Sequence, residues 1–196
     1  MKKIVVTGGP CGGKTTAIEF IKKELTDKGY QVLCIPETAS ELILGGVTPW
    51  GMKSLDYQLC QMKLQLFKEE IFEEAAQKIG NTDKTVIICD RGMMDNKAYM
   101  TDDDFDKAFQ ILGITALEMM NRYDSIIHME TAAKGEGYTL SNNNARTEDK
   151  EQAIRLDDML INVWKKHSSF NVIKTTKDFN EKIEALSALI SRLTLE

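Results

Sequence analysis

Hydrophobic residues along the chain gather in five short runs that are separated by longer segments with helical periodicity. The runs cover residues 4–7, 31–35, 85–89, 125–129 and 171–174. Each run is largely aliphatic or β-branched and lacks regular alternation with polar residues, which is typical of strands covered on both faces. The pattern therefore predicts five buried strands of a parallel sheet.

Four segments between and after these runs repeat apolar residues every three or four positions. We predict helices over residues 13–28, 54–79, 147–167 and 178–193. Strands that alternate with helices predict an α/β fold, a three-layer α/β/α sandwich around a five-stranded parallel sheet. Two segments, 36–53 and 130–146, show no regular pattern, and long segments of this kind in a compact domain are usually functional loops.

Composition restricts the class of protein. The chain has 196 residues, 42% hydrophobic and 28% charged, with a net charge of −5. This predicts one soluble domain over residues 1–196, without the basic stripe of a nucleic-acid-binding surface. No apolar run reaches membrane-spanning length. Four cysteines without a C-x-x-C pair or an export signal indicate free thiols in the cytoplasm.

The segment after the first predicted strand matches the phosphate-binding pattern G-x-x-x-x-G-K-[ST]. It lies between a predicted strand and a predicted helix, the context that this P-loop motif requires. Glycines allow backbone N–H groups to surround phosphates at a helix N-terminus. Lys14 is expected to reach the β- and γ-phosphates, and the Thr15 hydroxyl to bind Mg²⁺. The predicted ATP-binding residues are Gly8, Gly9, Pro10, Cys11, Gly12, Gly13, Lys14, Thr15 and Thr16.

Two further strand ends carry charged residues. The third strand ends in Asp90, the Walker-B position for a carboxylate in the Mg²⁺ shell, although an Asp after a strand is also a common turn residue. Arg91 follows it and is a candidate for substrate binding or charge stabilisation, with a structural ion pair as the alternative. Glu37 follows the second strand and is a candidate to accept a substrate hydroxyl proton, with a helix-start role as the alternative.

The segment from about residue 131 to residue 146 is expected to form a lid. It contains Gly135, Gly137 and three consecutive asparagines, and it ends in Arg146 at the start of a predicted helix. Closing such a lid would deliver the Arg146 charge to the phosphates. A surface loop without a catalytic part is the alternative. Trp50, Tyr57 and Tyr99 are candidates to stack on an aromatic ring, with core packing as the alternative.

Several of these motifs together resemble a known family. Thr7 to Thr16, Pro36-Glu37-Thr38-Ala39, Cys89 to Asp95 and Ala145 to Asp149 are similar to AAA-type P-loop ATPase and kinase domains of the ribosylnicotinamide kinase-like group, and more distantly to deoxynucleoside and thymidylate kinases. The resemblance implies that Glu37 contacts the acceptor hydroxyl and that Arg146 touches the transferred phosphate. One departure is that deoxynucleoside kinases usually have Glu-Arg-Ser where this chain has Asp90-Arg91-Gly92.

The leading hypothesis is an ATP- and Mg²⁺-dependent phosphotransferase with a small nucleoside-like acceptor. Lys14, Glu37, Arg91 and Arg146 are its expected catalytic residues, and Thr15 and Asp90 its expected metal ligands. The alternative is a nucleotide-binding regulatory ATPase without a small-molecule acceptor. A GTPase is disfavoured because no Asn-Lys-x-Asp guanine motif is present, and a larger AAA module because no separate helical lid domain follows the strands. Acceptor identity and oligomeric state are not predicted.

Overall fold

The five predicted strands are all present in the computed structural model, which describes residues 1–135 and 150–195. Three of them extend or shift by one or two residues from the predicted ranges. Their bounds are Lys2–Thr7 (β1), Gln31–Ile35 (β2), Thr85–Asp90 (β3), Ser125–Met129 (β4) and Phe170–Ile173 (β5). β3 includes Asp90 as its last residue, so this carboxylate is positioned by the sheet itself.

The strands form one sheet in the order β2-β3-β1-β4-β5, and every neighbouring pair is parallel. β1 lies at the centre, with Val6 beside Asp90 of β3 on one side and beside Ile127 of β4 on the other. The chain leaves β1 for strands on one side and later returns to the other. The carboxyl end of β1 is therefore the switch point at which ligands bind in such sheets.

The four predicted helices are also present; their described bounds differ by at most three residues from the predicted ones, and the start predicted at residue 147 lies outside the described residues. Three further α-helices lie among the described residues. The helices are Lys14–Asp27 (α1), Thr38–Leu44 (α2), Ser54–Ile79 (α3), Asp102–Leu112 (α4), Ala116–Met120 (α5), Lys150–Trp164 (α6) and Phe179–Leu195 (α7).

The absence of regular structure predicted for residues 36–53 was wrong in its first half, where α2 forms. This helix has only seven residues, too few to show a clear apolar period. A distant residue helps to hold it, because Lys68 Nζ of α3 contacts Glu41 Oε2 at 2.9 Å and the Pro36 carbonyl at 2.7 Å. Three consecutive acidic residues, Asp102 to Asp104, form the first turn of α4, and the Thr101 side chain caps this turn by accepting a hydrogen bond from the Asp104 N–H.

Two apolar layers, one on each face of the sheet, complete the three-layer sandwich. Along β1, Ile4 and Val6 face one layer and Val5 faces the other. The first layer is filled by α1 and α7, through residues such as Ile21 and Ile190. The second is filled mainly by α3, α4 and the end of α6, where Trp164 is completely buried. The predicted fold class is thus confirmed.

Trp164 packs against the segment that follows β3. Its indole N–H donates to Asp95 Oδ1 at 2.5 Å, while the Thr7 hydroxyl donates to Asp95 Oδ2 at 2.6 Å. Gly92 lies against the indole ring so closely that a Cβ there would be 2.6 Å from Trp164 Cζ2 and 3.0 Å from Val5 Cγ2. Burial of this ring therefore requires glycine directly after the Asp90-Arg91 pair.

We predict that Gly92→Ala lowers the free energy of unfolding by about 1–3 kcal/mol, because the added methyl group overpacks a closed core. Urea denaturation would measure the loss. Gly51→Ala is the matched control, since Gly51 is exposed and the nearest neighbour of the added methyl group would be the side-chain hydroxyl of Thr48. A Gly92→Ala protein as stable as this control would contradict the packing argument.

Candidate active site

The candidate residues that follow β1, β2 and β3 meet at one edge of the molecule because the strands are parallel. The positive charges of Lys14 and Arg91 act to lower the pKa values of two carboxyl groups, those of Glu37 and Asp90. These four side chains therefore lie close together at that edge. The described residues of the predicted catalytic set thus form one cluster.

The P-loop leads directly into α1. Gly13, with φ 85°, is the left-handed residue that precedes the helix, and the exposed threonines Thr15 and Thr16 lie in its first turn. Lys14 Nζ donates to the carbonyl oxygens of Gly8 and Gly9, both at 3.0 Å. The loop therefore combines a lysine ammonium with the N–H groups of a helix N-terminus, the two features that bind phosphate.

Two glycines of the motif have a packing reason as well as a chemical one. A Cβ on Gly8 would lie 2.1 Å from the Met129 carbonyl oxygen, and one on Gly12 would lie 2.4 Å from the same atom. Gly8 also has φ 136°. The loop therefore lies directly on the carboxyl end of β4, which side chains at either position would prevent.

Glu37 and Arg91 form the central ion pair of the site. Arg91 Nε lies 2.5 Å from Glu37 Oε1, and the Ser40 hydroxyl donates to Glu37 Oε2 at 2.5 Å. Burial alone would raise the pKa of Glu37, but Arg91, Ser40 and Lys14 together lower it to about 2. Glu37 precedes α2, as the helix-start alternative required, yet its carboxylate is directed to Arg91 and is fully ionised at neutral pH.

Arg91 is held by its backbone as well as by its side chain. Its φ of 72° is left-handed, which is uncommon for a residue with a side chain. The Arg91 N–H donates to Val6 O at 3.0 Å, and the Gln65 amide donates to the Arg91 carbonyl at 3.1 Å. Arg91 Nη1 also lies 3.5 Å from Asp95 Oδ2. The structural ion pair is therefore present, and it aims the guanidinium at Glu37.

Asp90 has the features expected of a metal ligand. Its Oδ1 is buried and has no hydrogen-bond partner among the described residues. Burial, and then Glu37, raises the pKa of Asp90, which Arg91 and Lys14 offset only in part. An ionised oxygen in this position gains from a divalent cation. The 1–135 and 150–195 ranges contain no cluster of three or more His, Cys, Asp or Glu side chains that could hold a metal ion.

The N-terminal part of α3 contributes two buried polar groups, one from Tyr57, which the sequence offered as a stacking or core residue, and one from Gln58, which it did not identify. The Tyr57 hydroxyl and the Gln58 amide oxygen are both buried, and neither has a hydrogen-bond partner within the part of the chain that the structure describes. Burial and the charge of Glu37 raise the pKa of Tyr57, which places this ring near the ion pair. Trp50 is 77% exposed and Tyr99 41%, so core packing applies only to Tyr57.

The chain matches a family model described as an AAA domain over residues 3–182. It belongs to this AAA-domain family. The match includes every described candidate residue, from the P-loop to Arg91. A comparison with curated proteins gave no match.

Solved structures of kinases share the fold of this AAA-domain protein. Deoxyadenosine kinase from M. mycoides, with the products dCMP and dCDP bound, has a TM-score of 0.62 at 15% identity, over 97% of this chain and 99% of that one. The same enzyme with bound dATP has a TM-score of 0.57 at 18% identity, over 97% and 100%. Thymidylate kinase from Ehrlichia chaffeensis has a TM-score of 0.63 at 16% identity, over 98% and 97%.

Behind the P-loop, α6 supplies a buried carboxylate that sequence reasoning missed. Asp157 Oδ1 accepts hydrogen bonds from the N–H groups of Gly9 at 2.9 Å and Thr131 at 3.1 Å, and it lies 2.9 Å from His128 Nε2. Burial opposes its ionisation, but the contacts with His128, Lys134 and Gly9 hold the pKa of Asp157 well below its usual range. Asp157 thus joins the P-loop to the end of β4.

A buried lysine of α7 makes a second connection. Lys182 Nζ donates to Gly12 O at 2.8 Å and to Glu130 O at 2.7 Å. Burial lowers the pKa of Lys182 to about 8, although Glu130 and Asp157 act in the opposite direction. No motif signals such a residue, because it lies 170 positions from the loop that it contacts.

The lid and Arg146 remain sequence predictions, since residues 136–149 lie outside the described ranges. The beginning of the predicted lid is described. Thr131 and Ala133 are fully buried, and Lys134 pairs with Asp157 at 2.8 Å and Asp158 at 2.6 Å. Residues 131–135 are therefore anchored to α6.

Within the described ranges, the helices are either too short or too polar to span a bilayer.

We predict that Asp90→Asn raises the Mg²⁺ concentration needed for half-maximal ATP binding about tenfold or more, because an anionic ligand is replaced by a neutral one. ADP binding in EDTA should change much less. Calorimetric titrations with and without Mg²⁺ measure both. An unchanged Mg²⁺ midpoint would remove Asp90 from the metal site.

We predict that the Glu37 carboxylate does not titrate above about pH 4. In Arg91→Met it should titrate above that pH, because burial then raises the pKa of Glu37 without the opposing positive charge of Arg91. Carbon-detected NMR, with the signal assigned through Glu37→Gln, measures this. Since the folded pKa is below the ordinary glutamate value of 4.5, ionised Glu37 stabilises the fold above about pH 4.5, and this contribution is lost as pH falls towards 2. Lys63→Met, on the exposed face of α3, is the control and should leave the signal unchanged.

Proposed function

We propose that this protein is a Mg·ATP-dependent phosphotransferase that moves the γ-phosphoryl group to a hydroxyl of a small nucleoside-like acceptor. The observation that carries the proposal is the Glu37–Arg91 pair at 2.5 Å beside Lys14 of the P-loop. An ATP-binding module alone has no need for a desolvated carboxylate at this position. A hydroxyl that must be aligned with a phosphate does need such an acceptor.

In the proposed reaction, the acceptor hydroxyl oxygen forms a bond to the γ-phosphorus, and the bond to the β–γ bridging oxygen breaks, so that ADP leaves. Glu37 accepts a hydrogen bond from the hydroxyl and orients it. A carboxyl group with a pKa of about 2 does not retain a proton at neutral pH, so the proton passes to solvent with the phosphorylated product. This suits a loose transition state, which needs positioning and charge stabilisation more than a strong base.

The positively charged groups of the site have different roles in the proposed reaction. Lys14 contacts the β- and γ-phosphates, and Arg91 keeps Glu37 ionised and adds positive charge beside the transferred group. Asp90 and Thr15 would hold Mg²⁺, which neutralises phosphate charge when bound. Arg146 is proposed from the sequence alone to contact the transferred phosphate.

The acceptor is proposed to be nucleoside-like because of two buried polar groups of α3, of which the Tyr57 hydroxyl is close enough to Glu37 for that charge to raise its pKa. Tyr57 and Gln58 present a buried hydroxyl and a buried amide oxygen that gain a partner when a ligand with hydrogen-bonding edges binds. The named activities of the solved relatives, deoxyadenosine kinase and thymidylate kinase, support the same class. The exposed rings of Trp50, four positions before α3, and Tyr99, eight positions after Arg91, are the proposed stacking surfaces.

The test is ADP release from Mg·ATP in the presence of a panel of nucleosides and related hydroxyl compounds. We predict that at least one nucleoside-like compound accelerates ADP release and is itself phosphorylated, and that Lys14→Ala reduces this turnover by a factor on the order of 10²–10³, because its charge is lost from the transition state. Lys23→Ala, an exposed lysine of α1, is the control.

Two outcomes would contradict the proposal. Slow ADP release that no acceptor accelerates would favour the regulatory ATPase instead. Full turnover in Lys14→Ala, with its fold confirmed by circular dichroism, would refute the P-loop assignment and with it both functions.

A further inference from the structure

Buried side chains from elements that are distant in sequence hold the outer side of the P-loop, by which we mean the side opposite the expected position of the phosphates. Lys182 of α7 donates to the carbonyl of Gly12 at 2.8 Å, and the Thr131 hydroxyl donates to the carbonyl of Pro10 at 2.5 Å. Lys182 is 4% exposed and Thr131 is fully buried. These two contacts fix the direction of two carbonyl groups in a loop that has glycine at four of its eight motif positions.

The direction of a carbonyl also determines the direction of the next N–H. The chain has no cis peptide bond among its described residues, and in a planar trans peptide the C=O and N–H groups point to opposite sides. When Lys182 holds Gly12 O on the outer side, the Gly13 N–H must point to the inner side. Thr131 orients the Pro10–Cys11 peptide in the same manner.

At the Gly12–Gly13 peptide, the two glycines make this restraint necessary. Without a Cβ, Gly12 and Gly13 can exchange one peptide orientation for its opposite at little steric cost. The flipped peptide would present a carbonyl oxygen to the phosphates in place of an N–H donor. A phosphate oxygen would then be repelled where it was bound.

We propose that Lys182 and Thr131 are positioning residues, which hold the P-loop peptides so that their N–H groups face the nucleotide phosphates. The ammonium of Lys182 also polarises the Gly12–Gly13 peptide and so strengthens its N–H as a donor. Its second contact, with the Glu130 carbonyl at 2.7 Å, anchors the loop to the end of β4. This inference rests on the proposed nucleotide-binding function.

The test measures Mg·ADP and AMP affinities through displacement of a fluorescent ADP analogue from the same site. Lys182→Met is expected to lose roughly 10- to 100-fold in ADP affinity, and Thr131→Val roughly 3- to 10-fold. AMP affinity should change much less, because AMP has no β-phosphate for the loop to bind. The ratio of ADP to AMP affinity is the decisive readout, since a purely structural residue would lower thermal stability without changing it.

The control is Lys174→Met, which removes a lysine that contacts the Glu130 side chain at 3.1 Å from an exposed position. It should retain the wild-type ratio. If Lys182→Met does not fold, Lys182→Gln keeps a donor in its place and should give an intermediate ratio, and Thr131→Val tests the second contact independently. A ratio within about twofold of wild type in the folded variants would overturn the inference. Absence of ADP binding by the wild-type protein would instead refute the proposed function.

Discussion

The close contact between the P-loop and the carboxyl end of β4 is the constraint on which the site depends. Gly8 and Gly12 both lie against the Met129 carbonyl, at distances that leave no room for a Cβ. This contact places the loop directly over the sheet, where the neighbouring strand ends bring Asp90 and Arg91. Gly8 and Gly12 are thus required by backbone packing, and the same packing fixes the position of the loop to which phosphate binding is proposed.

Charge balance around this loop explains why the carboxylates behave differently. Asp95 is satisfied by the Thr7 hydroxyl and the Trp164 indole, and Glu37 by Arg91 and Ser40. Both oxygens of each carboxylate thus have a protein partner, although each oxygen can still accept a further hydrogen bond. Asp90 differs, because burial raises its pKa and one of its oxygens has no partner among the described residues. The site is therefore deficient in positive charge at Asp90, which is the position where a nucleotide-bound cation would supply it.

Local sequence patterns predicted the features that depend on neighbouring residues. The strands and long helices follow from apolar runs and periods, and the P-loop follows from residues 8–15. The sequence could not predict contacts between distant residues. Asp157 contacts Gly9 across 148 positions, and Lys182 contacts Gly12 across 170. Each resembles an ordinary polar residue of an amphipathic helix until the fold brings it behind the loop. Helix α2 escaped prediction because Lys68 of α3, rather than an apolar period of its own, helps to hold it.

A contact between residues distant in sequence also explains the glycine of Asp90-Arg91-Gly92. Deoxynucleoside kinases, which this chain distantly resembles, usually have serine at the third position, and the difference would suggest altered chemistry if the sequence were read alone. In the structure, the space that a serine Cβ would occupy is filled by the ring of Trp164, which also donates its N–H to Asp95. Since Asp95 lies 3.5 Å from Arg91, the tryptophan helps to position the arginine. Glycine at position 92 therefore follows from the packing of Trp164, which supports Arg91, and does not by itself indicate altered chemistry.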